Sequence, residues 1–136
     1  MRISIVGCGN MGTAYARSFR KYGLVKADEL LLVIRGARRK QELERMGQVT
    51  DAIDERIGSS DLVIVAVKPQ DFGAIAPSLA YELKPEQVVL SIMAGITLKR
   101  LRENLRHATV VRAMPNAPAQ IGMGITAYAT GAELSM

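Results

Sequence analysis

The chain has one cysteine and one histidine among its 136 residues. A lone Cys8 cannot close an internal disulfide, so a disulfide-stapled scaffold is excluded and a reducing, cytoplasmic setting is expected. No run of about 18 apolar residues occurs, which excludes a membrane-spanning helix. Met1-Arg2 leads into an apolar stretch too short for a signal-peptide core, so no secretory leader is expected. No His/Cys spacing suits a metal ion, so no metal site is expected. Aromatic residues make up only 4% of the chain, and no basic block runs longer than Arg38-Arg39-Lys40. The net charge of +5 therefore reads as a pocket for an anionic cofactor plus solvated surface. Neither a nucleic acid nor a membrane is expected as a partner. What is present, 49% hydrophobic and 23% charged residues, suits one globular domain with a proper core.

The apolar run Ile3–Val6 passes directly into Gly7-x-Gly9-x-x-Gly12, and the sequence then turns helical. A strand, a glycine turn and a helix form the context in which this motif binds a dinucleotide. Gly7 permits the tight turn. Gly9, lacking a Cβ, lets a pyrophosphate approach the backbone. Gly12 lets the helix lie close to the strand. A helix opening near Asn10 would aim free N–H groups and the positive end of its dipole at the phosphates. Cys8 sits inside this turn as a small side chain, with no reactive partner near it in sequence.

Strands and helices alternate along the rest of the chain. Helices are expected over residues 10–22, ending at Gly23, and over 38–46, 71–83 and 98–105, the last capped by Thr97. The third of these carries Pro77, where a bend is expected. Strands are expected over residues 30–34, 48–50, 61–67, 88–93, 110–113 and 125–129. A short helix is expected before Gly58. Continuous apolar strands such as 61–67 imply a sheet covered on both faces. The fold class is α/β: a doubly wound, mainly parallel sheet of Rossmann type, in strand order 3-2-1-4-5-6, forming a single domain over residues 1–136.

The end of the second strand normally selects the cofactor. An acidic residue there would bond the ribose hydroxyls of NAD. Here the strand runs out through Ile34-Arg35-Gly36-Ala37-Arg38-Arg39, with no carboxylate, and the acidic pair Asp28-Glu29 stands at the strand's other end. Arg35 can stack on adenine and pair with a 2′-phosphate, and Arg38 or Arg39 can add a second cation. NADP(H) is therefore expected in preference to NAD(H). Lys68, at the end of the fourth strand, faces the ligand crevice, where acid catalysis and a surface role both stay open. Ala94-Gly95 forms a small turn that a flat ring could approach. Asn116 follows a proline, and both a ligand contact and a turn-stabilising role are open to it. His107, at a helix end, reads as structural, and no catalytic residue is assigned.

Four segments, Gly-x-Gly-Asn-Met-Gly12, Ala-Val-Lys-Pro-Gln70, Ser-Ile-Met-Ala-Gly-Ile96 and Val-Arg-Ala-Met-Pro-Asn-Ala-Pro-Ala119, occur in an order and spacing that resemble the N-terminal domain of pyrroline-5-carboxylate reductase. The resemblance covers essentially the whole chain. It implies NAD(P)H-dependent reduction of 1-pyrroline-5-carboxylate, a cyclic imine, to L-proline in proline biosynthesis. It implies that Asn10 and Met11 sit at the pyrophosphate and Arg35 by the adenosine phosphate. It further implies that Val67, Lys68 and Pro69 line the adenosine side, that Ala94 and Gly95 approach the nicotinamide, and that Met114, Pro115 and Asn116 bound its pocket. Ala117 departs from the threonine often found there.

The family carries a second, helical domain that makes an interlocked dimer and holds the substrate carboxylate, and the chain stops at Met136, before any such segment. A small-molecule imine is thus the expected substrate where a complete site forms. The region from Met114 to Met136 is expected to expose an apolar patch that favours self-association or a partner chain. The alternative reading is a non-catalytic dinucleotide-binding module or regulatory paralogue without the substrate half. Another NADP-dependent reductase with a similar first domain is disfavoured by the Met-Pro-Asn motif.

Overall fold

In the computed structural model, residues 1–113 and the backbone of 127–129 are described. Eleven regular elements follow one another along these residues. They are β1 (Ile3–Val6), α1 (Asn10–Lys21), β2 (Leu30–Val33), α2 (Lys40–Glu44), β3 (Gln48–Thr50), β4 (Leu62–Val65), α3 (Phe72–Glu82), β5 (Val88–Ser91), α4 (Leu98–Leu105), β6 (Val110–Ala113) and β7 (Ala127–Ala129). One sheet runs in the order β3-β2-β1-β4-β5-β6-β7. Its first six strands are parallel, and β7 adds antiparallel to β6 at the edge. The expected order holds among the described strands, and within the expected last strand Ala127–Ala129 is described.

Alternation along each strand divides the core in two. Ile3, Ile5, Leu30, Leu32, Ile64 and Leu90 point to one face, under Tyr15, Ala16 and Phe19 of α1. Val6, Leu31, Val33, Val63, Val65 and Val89 point to the other, under Phe72 and Leu79 of α3 and Leu101 and Leu105 of α4. Both faces are apolar because both are covered, which is why these strands read as unbroken hydrophobic runs. Burying one such Leu or Ile contributes about 1.5–3 kcal/mol. On α1, Tyr15 and Phe19 lie one helical turn apart and meet edge to face, with centroids 5.8 Å apart.

Several elements are shorter than their apolar patterns suggest, and each end has a cause. The helix expected over 38–46 covers only Lys40–Glu44: Arg39 holds left-handed backbone at φ 65° before it, and after it the Arg45 and Met46 N–H groups turn to the Glu42 and Leu43 carbonyls in a tighter turn. The strand expected to reach Met93 stops at Ser91, whose hydroxyl accepts the Met93 N–H at 3.2 Å and turns the chain. The strand expected over 61–67 is Leu62–Val65, and a 3-10 turn over Pro69–Asp71 leads into α3. Pro77 lies inside α3 as expected, and the helix expected before Gly58 is a 3-10 turn, Glu55–Ser59. Thr97 caps α4 by accepting the Arg100 N–H at 3.1 Å.

At the amino-terminal edge of the sheet, Gln87 ties the turns together. It is 2% exposed. Its amide donates to the Ile57 and Ser60 carbonyls and accepts from the Lys84 N–H. His107 is buried with Nε2 against the Gln87 carbonyl, so the histidine is a packing residue here. Among the described residues no helix is long and apolar enough to cross a membrane.

Candidate dinucleotide site

The carboxyl ends of the parallel strands form one edge of the sheet, and three loops meet there. Gly7 and Gly9 lie in the β1–α1 loop and Gly12 in the first turn of α1, and their surroundings differ sharply. Gly7 has φ 96°, and a Cβ there would lie 2.7 Å from both the Val67 backbone nitrogen and Cγ1. Its N–H donates to the Val33 carbonyl at 3.0 Å, pinning the loop to β2. A Cβ on Gly12 would lie 2.1 Å from the Gly7 carbonyl oxygen and 3.4 Å from Ile5 Cγ2, so α1 presses directly on the strand. A Cβ on Gly9 would meet nothing within 4 Å. Gly9 thus opens onto free space, the cradle that a pyrophosphate lying against the backbone requires.

Gly9 is the residue before α1, and the Thr13 N–H donates to its carbonyl at 3.0 Å. The N–H groups of residues 10–12 precede that first helical bond and are free for a ligand. No acidic residue lies in the first turn of α1, while Arg20 and Lys21 lie in its last, so nothing opposes an anion at the N-terminus. Met11 packs its side chain against the core under α1. Thr13, which the motif alone does not single out, locks the loop: its hydroxyl donates to the Cys8 carbonyl at 3.2 Å. Burial pushes the Cys8 thiol up to about 12, so it stays protonated at neutral pH and is no nucleophile.

The basic residues after β2 take distinct positions. Arg39 reaches back across the loop mouth, donating to the Gly9 carbonyl at 3.2 Å and to the Asn10 side-chain oxygen. Arg35 is 87% exposed and lies 3.4 Å from the Asp71 carboxylate. Arg38 is exposed. The second strand's end, which carries no carboxylate of its own, thus receives one from the turn after β4.

The other proposed contacts divide between buried and open places. Val67 is half-buried against Gly7. Lys68 and Pro69 are exposed at the carboxyl end of β4. Ala94 and Gly95 are exposed beyond β5, with Gly95 at φ 75° and open space where its Cβ would be. Met114, Pro115 and Asn116 lie outside the described residues. Among the described residues no three His, Cys, Asp or Glu side chains gather as metal ligands would. Loop, helix terminus and arginines together fit a dinucleotide.

This topology and loop define a Rossmann-type domain of the dinucleotide-binding class. Residues 2–95 match the family described as NADP oxidoreductase, coenzyme F420-dependent, and the chain belongs to that family. Pyrroline-5-carboxylate reductase from Thermus thermophilus is 35% identical over 127 residues, 93% of this chain and 48% of the relative. The enzyme of the same name from Pseudomonas aeruginosa is 34% identical over 137 residues, 98% of this chain and 50% of the relative. The crystal structure of Plasmodium falciparum pyrroline carboxylate reductase with NADP bound has a TM-score of 0.81 at 19% identity, covering 99% of this chain and 50% of that one. At that identity the likeness is one of fold. The chain spans about half the length of the curated relatives it matches.

Proposed function

We propose that this chain is the NADP(H)-binding half of a pyrroline-5-carboxylate reductase, serving the reduction of 1-pyrroline-5-carboxylate to L-proline. The observation that carries the reading is the open backbone at Gly9, set at the start of α1 with Arg39 across it, and Arg35 exposed beyond the end of the neighbouring strand β2. The relatives' names supply the substrate class.

When bound, the cofactor supplies a hydride from nicotinamide C4 to the C=N carbon of the cyclic imine. The chain's own residues bind and orient. The N–H groups at the start of α1 hold the pyrophosphate, with Asn10 and Met11 at the first positions. Arg35 pairs with the adenosine 2′-phosphate, and Arg39 adds a second cation. Val67, Lys68 and Pro69 border the adenosine. Ala94 and Gly95 leave room for the nicotinamide ring beyond β5, and Met114, Pro115 and Asn116 bound its pocket. A protonated imine is already electrophilic, so positioning supplies most of the rate, and it can contribute roughly 7–11 kcal/mol. No acid from these residues is required.

The test is calorimetric titration of the chain with NADPH, with NADH, and with coenzyme F420 as the control that the family description suggests. NADPH should bind tightest. Arg35→Ala should weaken NADPH by about 1.5–3 kcal/mol, the scale of a charge-assisted hydrogen bond, and leave NADH nearly unchanged. Equal losses for both cofactors would remove Arg35 from the 2′-phosphate.

A further inference from the structure

Asp71 stands directly before α3, in the N-cap position. Its backbone is already helical, at φ −93° and ψ −11°, because the 3-10 turn Pro69–Asp71 runs straight into α3, so its side chain is not placed to cap the first turn. Asp71 makes no capping bond. Its carboxylate is turned instead across the crevice to Arg35, 3.4 Å away. The backbone fixes this placement: Pro69 starts a 3-10 turn in which the Asp71 N–H donates to the Lys68 carbonyl at 2.8 Å. The pair joins the end of β2 to the turn after β4, on either side of the glycine loop of β1. With Arg35 at 87% exposure and Asp71 at 34%, the pair contributes little to stability and its arginine is open to a ligand.

We propose that Asp71 is a specificity-determining residue that limits the preference for NADPH, by competing with the adenosine 2′-phosphate for Arg35. This rests on the NADP(H)-binding reading above. To bind the phosphate, Arg35 must leave Asp71 or share itself between two anions. A phosphate drawn to Arg35 comes within several ångströms of the Asp71 carboxylate and is repelled. A cofactor with a ribose 2′-hydroxyl in place of the phosphate carries no such charge. Asp71 therefore supplies, from another loop, the carboxylate that the end of β2 lacks.

The experiment is a double-mutant cycle on the full chain, titrating the wild type, Asp71→Asn, Arg35→Ala and the double variant with NADPH and with NADH. Asparagine keeps the size of the side chain while removing its charge, and thermal melting verifies that each variant is folded. Removing one negative charge a few ångströms from the phosphate should tighten NADPH about three- to tenfold at low salt, less as salt rises. NADH should change by less than about twofold, the same Coulomb estimate with no phosphate present. In the Arg35→Ala background the Asp71→Asn effect on NADPH should shrink markedly, because without Arg35 nothing competes for Asp71 and the phosphate is no longer drawn to its side. Unchanged or weaker NADPH binding in Asp71→Asn would overturn the proposal. So would equal tightening of both cofactors, or an undiminished effect without Arg35. A wild-type chain that binds neither dinucleotide would overturn the cofactor reading and this proposal with it, whereas wild-type NADPH binding with a silent Asp71→Asn overturns this proposal alone.

Discussion

Gly9 and Gly12 belong to one motif, yet they should fail in opposite ways when given a side chain. A Cβ on Gly12 would sit 2.1 Å from the Gly7 carbonyl oxygen, a backbone atom that cannot swing aside. Relief requires α1 to move by about 1 Å relative to β1, which strains the Thr13 bonds to Gly9 and Cys8. Overpacking of this kind costs roughly 1–3 kcal/mol and occasionally more, against a gain of about 1 kcal/mol from alanine's higher helix propensity. With the loop bonds weakened as well, Gly12→Ala should lose about 2–4 kcal/mol and lower Tm by roughly 10 °C. Gly9 has φ −78° and ψ −149° with open space at its Cβ, so Gly9→Val should cost only backbone strain and the poorer cap, about 1–2 kcal/mol. Its side chain would instead fill the cradle and reduce NADPH affinity at least roughly a hundredfold, through lost pyrophosphate contact. Urea unfolding and calorimetry on the two variants separate the effects. A Gly12→Ala chain that melts like wild type would refute the close-packing argument, and a Gly9→Val chain that binds NADPH normally would refute the phosphate-loop argument.

Cys8 should resist thiol reagents at pH 7–8 in the folded chain and react fully in urea, since burial raises its pKa from 9.0 to about 12. Below pH 9 the thiol is protonated both folded and unfolded and contributes no pH dependence. Above that only the unfolded form ionises, so stability should fall by up to about 1.4 kcal/mol per pH unit until the folded pKa is reached. Buried Tyr15, raised from 10.0 to about 12, acts in the same direction, and Cys8→Ala should leave only its share of the alkaline slope in a pH series of urea melts. Gln87→Ala should destabilise by about 2–4 kcal/mol, because buried carbonyls of Ile57 and Ser60 lose their donor. Its NADPH affinity should stay at the wild-type value, since this network lies at the sheet edge opposite the glycine loop; a large affinity loss in calorimetry would contradict that separation.

The frame is legible in the order of the residues. Runs such as Leu62–Val65 and Val88–Ser91, alternating with amphipathic helices, admit few arrangements other than a covered parallel sheet, and Gly7-x-Gly9-x-x-Gly12 after the first strand located the site at its carboxyl edge. These are local signals, carried by residues within a turn or a strand of one another. Element ends were less legible, because they depend on single backbone conformations such as left-handed Arg39, where a glycine would be the ordinary choice. The contents of the crevice depend on contacts between distant loops. Residue spacing does not show that Arg39 lies across Gly9 and Asn10, or that Gly12 rather than Gly9 bears the tightest contact. Arg35 and Asp71 are 36 positions apart, on different loops, and only the β2-β1-β4 strand order brings their charges to 3.4 Å. Charge acts through space, so a carboxylate absent from one strand's end in the sequence can still be present there in the fold.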